Sequence, residues 1–365
     1  MSAKLSRRSF LGWSALALSP AAAFAQGGPP SEGFAGLGAS ARGFAEVKRG
    51  VVLRFPEDHG AHPDFRIEWW YVTANLKGED GAEYGAQWTL FRQAAMPGPQ
   101  GEGWANQQVW MGHAAVTSAT EHFFAERFAR GGVGQAGVEL SPFRAFIDNW
   151  SLQGSVATAP LTLSPLEVTA AGPNFAYTLR LTATRDLVLQ GDHGFSQKSD
   201  RGQASYYYSQ PNFHAQGVLT FGDRMIPVAG RAWMDREWSS QPLAADQSGW
   251  DWFSLQFDDG DKLMLFRLRH TDGTSYRAGT WIGRDGSAEV LPSDGIELSP
   301  VAWSKVGAKS IPTKWRLAIP ARGVSIETEA INPQSWMALS FPYWEGPVRC
   351  RGTHAGIGYL EMTGY

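Results

Sequence analysis

The sequence of 365 residues lacks several features that would place it in a familiar class. It contains one cysteine, Cys350, so no internal disulfide can form and stability must come from core packing. Charged residues make up 18% of the chain, against about 25% in typical soluble domains. No long apolar run interrupts the chain, and the short one near the N-terminus cannot span a bilayer as a permanent anchor.

Sequence motifs of the common catalytic folds are also missing. There is no G-x-S-x-G nucleophile elbow, no P-loop and no dinucleotide fingerprint. Cys350 and His354 would lie roughly 13 Å apart along a strand, too far for a nucleophile–base pair. The sequence therefore gives no support for a serine or cysteine hydrolase, a nucleotide-binding enzyme or a dehydrogenase.

Residues that favour β structure dominate what is present. The chain has 42 Gly, 21 Pro and 16 Trp, and short alternating runs lie between clusters of Gly, Pro, Asp and Asn. Apolar residues do not recur at helical spacing after the first 25 residues. This pattern predicts an all-β fold, in which the many large aromatic rings must find burial or a ligand.

The N-terminus has the pattern of an export signal. Arg7 and Arg8, followed by Phe10, fit the twin-arginine pattern, although an ordinary secretory signal with two arginines is the alternative. Cleavage is predicted after Ala25, which removes three positive charges and moves the net charge from −3 to −6. We therefore expect a soluble periplasmic protein that meets the twin-arginine export machinery and has no stable membrane anchor. Its acidic charge argues against nucleic acid or an anionic membrane as a partner.

Residues 26–50 are rich in Gly, Pro, Ala and Ser and are predicted to be a flexible linker. After it, the chain repeats itself. A hairpin with an aromatic entry and a Leu-Phe-Arg exit occurs first as EWWYVTANL (68–76) with QWTLFR (87–92), then as WDWFSLQF (250–257) with LMLFRL (263–268). The pattern predicts an N-terminal domain at 51–222 and a C-terminal domain at 223–365, each an antiparallel β-barrel.

Two later pairs of segments follow in the same order. Residues 177–182 with 187–191 are similar to 314–319 with 324–328. Residues 206–209 with 217–221 are similar to 343–346 with 356–361. Three pairs in one order indicate a duplication.

Two polar clusters interrupt the aromatic strands, FPEDHGAHPDFRIEWW (55–70) and AWMDREWSSQ (232–241). In a strand, alternate residues share a face, so Asp235 and Glu237 face one side while Arg236 and Trp238 face the other. Carboxyl groups that face an aromatic lumen have raised pKa values and can donate protons. The predicted catalytic acids are Asp235, Glu237, Glu68 and Asp251; the predicted ligand-binding residues are Trp70, Trp238, Trp252, Tyr207, His59 and His62.

Structural alternatives stand beside these roles. Arg66 with Glu68, or Arg236 with an acid of the other copy, would form ion pairs at a barrel rim. His59 and His62 could bind a metal, but outside a helix their spacing fixes no geometry, and we predict neither a metal nor a cofactor.

The segments FPEDHGAHPDFRIEWWYVT (55–73), AWMDREWSSQ (232–241) and GYLEMTGY (358–365) resemble the hydroxyneurosporene synthase-like, or AttH-like, family. Its members are also described as carotenoid 1,2-hydratase-like or as predicted secreted hydrolases. The resemblance covers the whole chain after the signal and implies two tandem lipocalin-like (calycin) barrels. In one departure, Arg236 stands within the acidic motif where many relatives carry His.

The resemblance implies an acid-assisted hydratase or another carbon–oxygen lyase acting on an apolar, isoprenoid or polyene-like molecule. In that case Asp235 or Glu237 would protonate an alkene, and Trp238 and Trp252 would flank the resulting cation. A non-catalytic periplasmic carrier of a lipid or other apolar ligand is the first alternative, and a hydrolase is the second.

Overall fold

The computed structural model describes residues 33–98 and 100–365. Within them the chain is almost all β, with a nearly closed barrel and a half-barrel in tandem, so the predicted fold class is confirmed. Helical structure in the described residues is restricted to short 3₁₀ turns at Phe34–Gly36, Glu57–His59, Gly103–Ala105, Ser293–Gly295 and Pro320–Arg322.

The first sheet is antiparallel throughout and contains thirteen strands. They are β1 Ile67–Gly78, β2 Glu83–Ala94, β3 Gln108–Thr117, β4 His122–Arg130, β5 Ala136–Leu140, β6 Phe143–Ile147, β7 Trp150–Ala159, β8 Ser164–Gly172, β9 Phe175–Ala183, β10 Val188–Leu189, β11 Phe195–Gln197, β12 Ala204–Phe221 and β13 Arg224–Ser239. Their order is β4-β3-β2-β1-β13-β12-β9-β8-β7-β6-β5, and β10 and β11 pair with β12.

The second sheet contains ten antiparallel strands. They are β14 Gln247–Phe257, β15 Lys262–His270, β16 Ser275–Ile282, β17 Ala288–Leu291, β18 Glu297–Val306, β19 Lys309–Ile319, β20 Val324–Ala330, β21 Trp336–Met337, β22 Tyr343–Gly352 and β23 Gly356–Met362. Their order is β17-β16-β15-β14-β23-β22-β20-β19-β18, and β21 pairs with β22.

The two strand orders repeat each other. In the first sheet β1 to β4 form a meander, β1 also pairs with the last strand, β13, and the short strands β10 and β11 pair with β12. In the second sheet β14 to β17 form a meander, β14 also pairs with the last strand, β23, and the short strand β21 pairs with β22. The equivalence of β1 and β2 with β14 and β15 agrees with the sequence repeat. By sheet position, however, β9 (177–182) corresponds to β20 and not to 314–319 in β19. Alternating strands look alike locally, so their pattern alone does not fix which strand is equivalent to which.

The structure also differs from the sequence repeat at its third pair. Residues 206–209 and 217–221 belong to one long strand, β12, whereas 343–346 and 356–361 lie in the hairpin β22–β23. The predicted domain limit after residue 222 falls in the turn between β12 and β13, where Gly222 has a φ of 60°. Because β13 pairs with β1 and β12, the first sheet extends to Ser239 and the second begins at Gln247.

Each sheet curves around its own apolar core, and a third core joins them. Trp70, Trp88 and Trp150 are buried inside the first sheet, and Trp315 and Trp344 inside the second. The core between the sheets contains Val188, Tyr207, Trp233, Leu243, Met264, Phe266, Leu268 and Ile282. The outer faces of the two sheets therefore form a buried interface with its own apolar packing.

The described part of the predicted linker, residues 33–50, packs on this interface. Phe34 makes edge-to-face contacts with Trp250 and Phe341, at ring-centroid distances of 5.5 and 4.9 Å. The backbone N–H of Gly33 donates to the carbonyl of Ala245 at 2.8 Å. Two apolar anchors, Phe34 and Leu37, thus hold a Gly- and Ala-rich segment in place, which its composition alone does not indicate.

Candidate functional site

Strand β13 carries the centre of the candidate site because it lies between β1 and β12. Asp235 is opposite Tyr71 on β1 and Ser209 on β12, and Glu237 is opposite Trp69 and Tyr207. Alternation along the strand sends these two acids to the outer face of the first sheet. Arg236 and Trp238 lie on the opposite, inner face. The alternation is as the sequence predicts, but the two acids face the space between the sheets and not the lumen of a barrel.

A cavity of about 160 Å³ lies between the outer faces of the two sheets. Its walls are mainly apolar and aromatic, and they include one ammonium group, that of Lys198, and three carboxyl groups, those of Asp235, Glu237 and Glu361. The aromatic lining comprises Trp69, Tyr71, Phe91, Tyr207, Trp250, Trp252, Phe266, Phe341 and Tyr343. Ala35 and Leu37 of the N-terminal segment complete the wall.

Asp235 is held in this wall by two donors. The Ser209 hydroxyl and the Trp233 indole N–H, the latter at 2.8 Å, both donate to Asp235 Oδ1. Burial raises the pKa of Asp235 to about 7, against the opposing effect of these hydrogen bonds. A large fraction of Asp235 is therefore protonated at neutral pH, which is what a proton donor needs.

Glu361 on β23 is a second acid of the same kind. The indole N–H of Trp250 donates to its Oε1. Burial raises the pKa of Glu361 to about 7, and the negative charge of Glu237 adds to the rise. Two carboxyl groups from different sheets thus face one cavity, and a large fraction of each is protonated at neutral pH.

Glu237 is in a different environment from these two acids. Its Oε1 lies 2.7 Å from the Lys198 ammonium and also accepts from the Ser205 hydroxyl. The Lys198 nitrogen lies 4.2 Å from the centroid of the Phe266 ring and 5.0 Å from that of Tyr207. Glu237 therefore has a cationic partner within hydrogen-bonding distance, which Asp235 and Glu361 lack, and its carboxylate oxygens can accept a proton.

The cavity therefore combines proton donors, a proton acceptor and aromatic faces. Environments that separate the protonation states of neighbouring carboxyl groups are the usual means by which a protein assigns acid and base roles. The aromatic faces of Trp250 and Trp252 can stabilise a positive charge that develops between them. This arrangement suits proton transfer to and from an apolar molecule.

The inner face of β13 holds a separate ion cluster. Glu68 is fully buried and binds both Arg92, through Nε, and Arg236, through Nη2. Burial alone would raise the pKa of Glu68, but the two arginines lower it well below its usual range. A carboxylate that stays ionised has no proton to give, so Glu68 fits the structural ion-pair alternative better than the catalytic one.

The predicted ligand-binding residues of the first polar segment surround this ion cluster. His62 stacks on Trp238, with ring centroids 4.0 Å apart and an interplanar angle of 4°. His62 Nδ1 contacts Glu68 at 3.2 Å, and Nε2 contacts Asp58 at 3.1 Å. The guanidinium of Arg236 lies 3.8 Å from the centroid of the Trp70 ring. None of these side chains lines the cavity between the sheets.

His59 has its own partners. Its Nδ1 lies 2.6 Å from the Tyr208 hydroxyl and its Nε2 lies 2.8 Å from the Pro160 carbonyl. Burial lowers the pKa of His59 to about 4, so it is neutral at pH 7, donates to Pro160 and accepts from Tyr208. His59 and His62 thus bind different groups and do not converge on one position.

Asp251 lies in the second sheet and away from the cavity. It alternates with Trp250 and Trp252 on β14, so it points to the other face. Its oxygens accept from Arg267 at 2.7 Å, from Arg269 at 2.6 Å and from the Tyr365 hydroxyl at 2.6 Å. This is a buried ion cluster like that of Glu68, built in the other sheet.

The predicted site residues therefore divide among three places. Asp235, Glu237, Tyr207 and Trp252 meet in the cavity; Glu68, His59, His62, Trp70 and Trp238 lie inside the first sheet; Asp251 lies inside the second. Because Trp238 is on the inner face, it does not flank Asp235 in the cavity.

Sequence reasoning missed two ionisable residues of the cavity wall, Glu361 and Lys198. Glu361 carries a signal, since it lies in the last motif (358–365), but no local pattern distinguishes Lys198. Cys350 is buried, and burial raises the pKa of its thiol to about 12, which disfavours a thiolate nucleophile. No helix in residues 33–98 and 100–365 is long and apolar enough to cross a membrane.

Comparison with known proteins gives a family and a fold. The model of the AttH-like family matches residues 46–365. The crystal structure of a putative AttH from Nitrosomonas europaea is 31% identical, with a TM-score of 0.77, covering 88% of this chain and 100% of that chain. The family match extends through all strands of both sheets.

Two more distant structures share the fold. Kievitone hydratase from Nectria haematococca is 15% identical with a TM-score of 0.64, covering 88% of this chain and 96% of that one. CghA, solved with Sch210972, is 11% identical with a TM-score of 0.55, covering 89% and 97%. No curated protein matches the sequence.

Proposed function

This chain belongs to the AttH-like family, and we propose that it binds an apolar small molecule in the cavity between its sheets and catalyses acid-assisted hydration there. The reverse reaction, elimination of water, uses the same groups. One observation carries the proposal: a single aromatic cavity contains two acids with raised pKa values, Asp235 and Glu361, together with the Glu237–Lys198 ion pair.

The reaction balances with these groups. Asp235 transfers its proton to one carbon of an alkene, and a carbocation forms at the other carbon, facing the tryptophan rings. A water oxygen then bonds to the cationic carbon while Glu237 takes a proton from that water. Return of that proton to Asp235 completes the cycle, and the product is heavier by one water.

The cavity volume limits what is enclosed. Pockets that surround a drug-sized ligand measure roughly 300–1,000 Å³, and this cavity measures about 160 Å³. The cavity therefore suits a compact molecule or the reacting end of a longer isoprenoid or polyene-like chain. The name of kievitone hydratase, which shares the fold at 15% identity, adds support for hydration as the reaction type.

The test begins with mass spectrometry of organic extracts from the purified protein, alone and after incubation with candidate terminal-alkene isoprenoids. We expect a product heavier by one water, and a loss of roughly 10²–10⁴-fold in its rate of formation for Asp235→Asn. Glu237→Gln is expected to slow the addition of water to the carbocation, because the base that takes the proton of that water is lost. The rate of product formation in Glu361→Gln measures how much the second acid contributes to the reaction. Asp294→Asn, at an exposed position that is not part of the cavity lining, is the matched control.

A non-catalytic carrier is the second candidate, and one observation favours it. Asp235 already accepts two hydrogen bonds, so it could simply close a lipid-binding cavity. A carrier gives a bound molecule that is recovered unchanged in stoichiometric amount, and binding then survives Asp235→Asn. Turnover by the native protein that is lost in this variant would exclude the carrier.

We also propose export to the periplasm on the basis of the N-terminal pattern. Residues 1–25 lie outside the described residues, so the sequence alone supports this step. Replacing both Arg7 and Arg8 by lysine is expected to stop export through the twin-arginine machinery, measured as loss of the mature protein from the periplasmic fraction. Undiminished export would favour the ordinary secretory pathway.

A further inference from the structure

A line of polar side chains runs from the protein surface to the cavity between the sheets. It starts at Glu126 on β4, continues through His113 on β3 and Tyr343 and Glu345 on β22, and ends at Tyr71 on β1. We infer that these five residues form a proton relay that connects solvent at Glu126 with the cavity. The relay serves the proton chemistry proposed above, although its geometry stands independently of any reaction.

The outer half of the relay joins the two sheets. His113 is fully buried; its Nε2 lies 3.2 Å from Glu126 Oε1, and its Nδ1 lies 3.0 Å from the Tyr343 hydroxyl. The Glu126 side chain is 16% exposed, and its carboxylate also accepts from the backbone N–H and the hydroxyl of Ser340. A carboxylate that orients a histidine, which in turn binds a tyrosine hydroxyl, is an arrangement suited to moving protons.

The inner half of the relay ends at the cavity. The Tyr71 hydroxyl donates to Glu345 Oε1, and both Tyr71 and Tyr343 line the cavity. The Tyr343 hydroxyl also acts on the Glu345 carboxyl, although Glu345 Oε2 makes no hydrogen bond to any described residue. Tyr343 and Glu345 are two residues apart on β22, so their side chains share a face, and the step between them is the one step of the relay that no hydrogen bond closes.

The protonation states along the relay change from an ionised carboxylate at the surface end to a protonated carboxyl group at the cavity end. Burial would raise the pKa of Glu126, but His113 and Ser340 lower it below its usual value, so Glu126 is ionised. Burial lowers the pKa of His113, which is neutral. Burial raises the pKa of Glu345 well above its usual value, and the nearby Glu361 raises it further, so Glu345 is protonated.

These states orient the hydrogen bonds in one sense, from Tyr71 to Glu126. With Oε1 accepting from Tyr71, the Glu345 proton resides on Oε2 and points to the Tyr343 oxygen. Tyr343 donates to His113 Nδ1, and His113 Nε2–H donates to the Glu126 carboxylate. The titratable groups that act on Glu345 are Tyr71 on β1, Tyr343 on β22, Glu361 and Tyr359 on β23, and Tyr177 on β9.

One proton moves along this line without loss or gain of atoms. The Glu345 Oε2 proton passes to the Tyr343 oxygen as the Tyr343 proton passes to His113 Nδ1 and the His113 Nε2 proton passes to Glu126. The result is an ionised Glu345 and a protonated Glu126, and the reverse sequence reloads Glu345. Glu361 lies opposite Glu345 in the β22–β23 pair, so the relay reaches an acid of the cavity wall.

A purely structural role explains less of this arrangement. A buried carboxyl whose second oxygen has no partner costs stability, and a hydrophobic side chain in its place would remove that cost. A line of polar groups from a partly exposed carboxylate to two tyrosines of the cavity wall is what a relay requires.

The test follows deuterium exchange in the full-length free protein by infrared spectroscopy after transfer from H₂O to D₂O. The carboxyl band that is lost in Glu345→Gln reports the proton on Glu345. We expect Tyr343→Phe, which removes one hydroxyl from the relay, to slow the shift of this band by an order of magnitude or more. The rate of exchange through the relay does not change at low denaturant concentrations, whereas the rate of exchange by local opening rises with denaturant.

Tyr177→Phe is the matched control, because it removes a buried hydroxyl that acts on Glu345 but lies outside the relay and donates to the Gln87 carbonyl. A second variant, His113→Gly, should slow the exchange, and added imidazole should restore it; His122→Phe removes another buried histidine as its control. Equal exchange rates in Tyr343→Phe and the native protein would overturn the relay, as would no recovery with imidazole. Because no substrate is present, failure of the relay leaves the Asp235 test of hydration unaffected.

Discussion

The two faces of β13 carry buried acids beside tryptophans and yet differ in protonation. On the inner face, Arg92 and Arg236 keep Glu68 ionised. On the outer face, burial raises the pKa of Asp235 to about 7, and its hydroxyl and indole donors oppose this rise only in part. The comparison teaches that the partner, and not burial or an aromatic neighbour, decides whether a buried acid keeps its charge.

The largest expected effect is the loss of the inner ion cluster. Arg236→Met removes a fully buried cation and leaves the Glu68 charge with Arg92 as its remaining guanidinium partner. Breaking a buried ion pair in this way typically costs about 3–5 kcal/mol, and we expect a loss of that size in the free energy of unfolding. Urea unfolding measures it, with Arg316→Met, an exposed partner of Glu327, as control. A loss below about 1 kcal/mol would contradict the structural role of the cluster.

The second effect concerns how stability depends on pH. The raised pKa values of Asp235 and Glu361 mean that the folded state binds more protons than the unfolded state between about 4 and 7. Stability therefore falls as pH rises through this range, by at most about 1.4 kcal/mol per pH unit for each group. Glu68, whose folded pKa is lowered, has the opposite sign: its stabilisation is present above its unfolded value of 4.5 and is lost in acid.

The double variant Asp235→Asn with Glu361→Gln is expected to flatten the stability profile between pH 4 and 7. Glu68→Gln should change only the acid side of the same profile. Urea midpoints measured across the pH range test both. An unchanged slope in the double variant would show that Asp235 and Glu361 have the same pKa values in the folded and the unfolded protein, which would contradict this prediction.

A smaller effect is expected for Lys198→Met. This substitution removes the cationic partner of Glu237, so that Glu237, like Asp235, has no cation beside it. Glu237 borders the cavity and can take up a proton, so the loss of its partner is less severe than for Glu68. We expect a loss of about 1–3 kcal/mol in the free energy of unfolding and loss of the base that hydration requires. A loss as large as that of Arg236→Met would remove the difference between the two faces.

The sequence predicts this comparison only in part. Alternation along β13 correctly separates Asp235 and Glu237 from Arg236 and Trp238, because a strand has a strict period of two. It does not show that Glu68 and Arg236, 168 residues apart, meet on the inner face, since that depends on the pairing of β1 with β13. The same long-range pairing decides which acids share a cavity.

The all-β class could be predicted for a similar reason. Local alternation and turn residues determine strands, and the repeated aromatic hairpins indicate two related sheets. The equivalence of later strands could not be predicted, because β9, β19 and β20 have similar alternating patterns. Lys198 and the packed segment at 33–50 were missed because their positions follow from tertiary contacts that no local pattern encodes.

The smallest effect lies at the edge of the ion cluster, at His62. Its ring stacks on Trp238 and its two nitrogens bridge Glu68 and Asp58, but its side chain is 17% exposed, so water compensates for part of any lost contact. We expect His62→Gln to reduce the free energy of unfolding by about 0.5–1.5 kcal/mol, the range of an aromatic pair. His62→Phe keeps the stack and removes both polar contacts, so its urea midpoint separates the two contributions. If His62→Phe is as stable as the native protein, the stack on Trp238 dominates and the arginines alone keep Glu68 ionised. If it loses as much as Arg236→Met, His62 is an essential member of the cluster, and its polar contacts with Glu68 and Asp58 stabilise the inner face as much as the Arg236 guanidinium does.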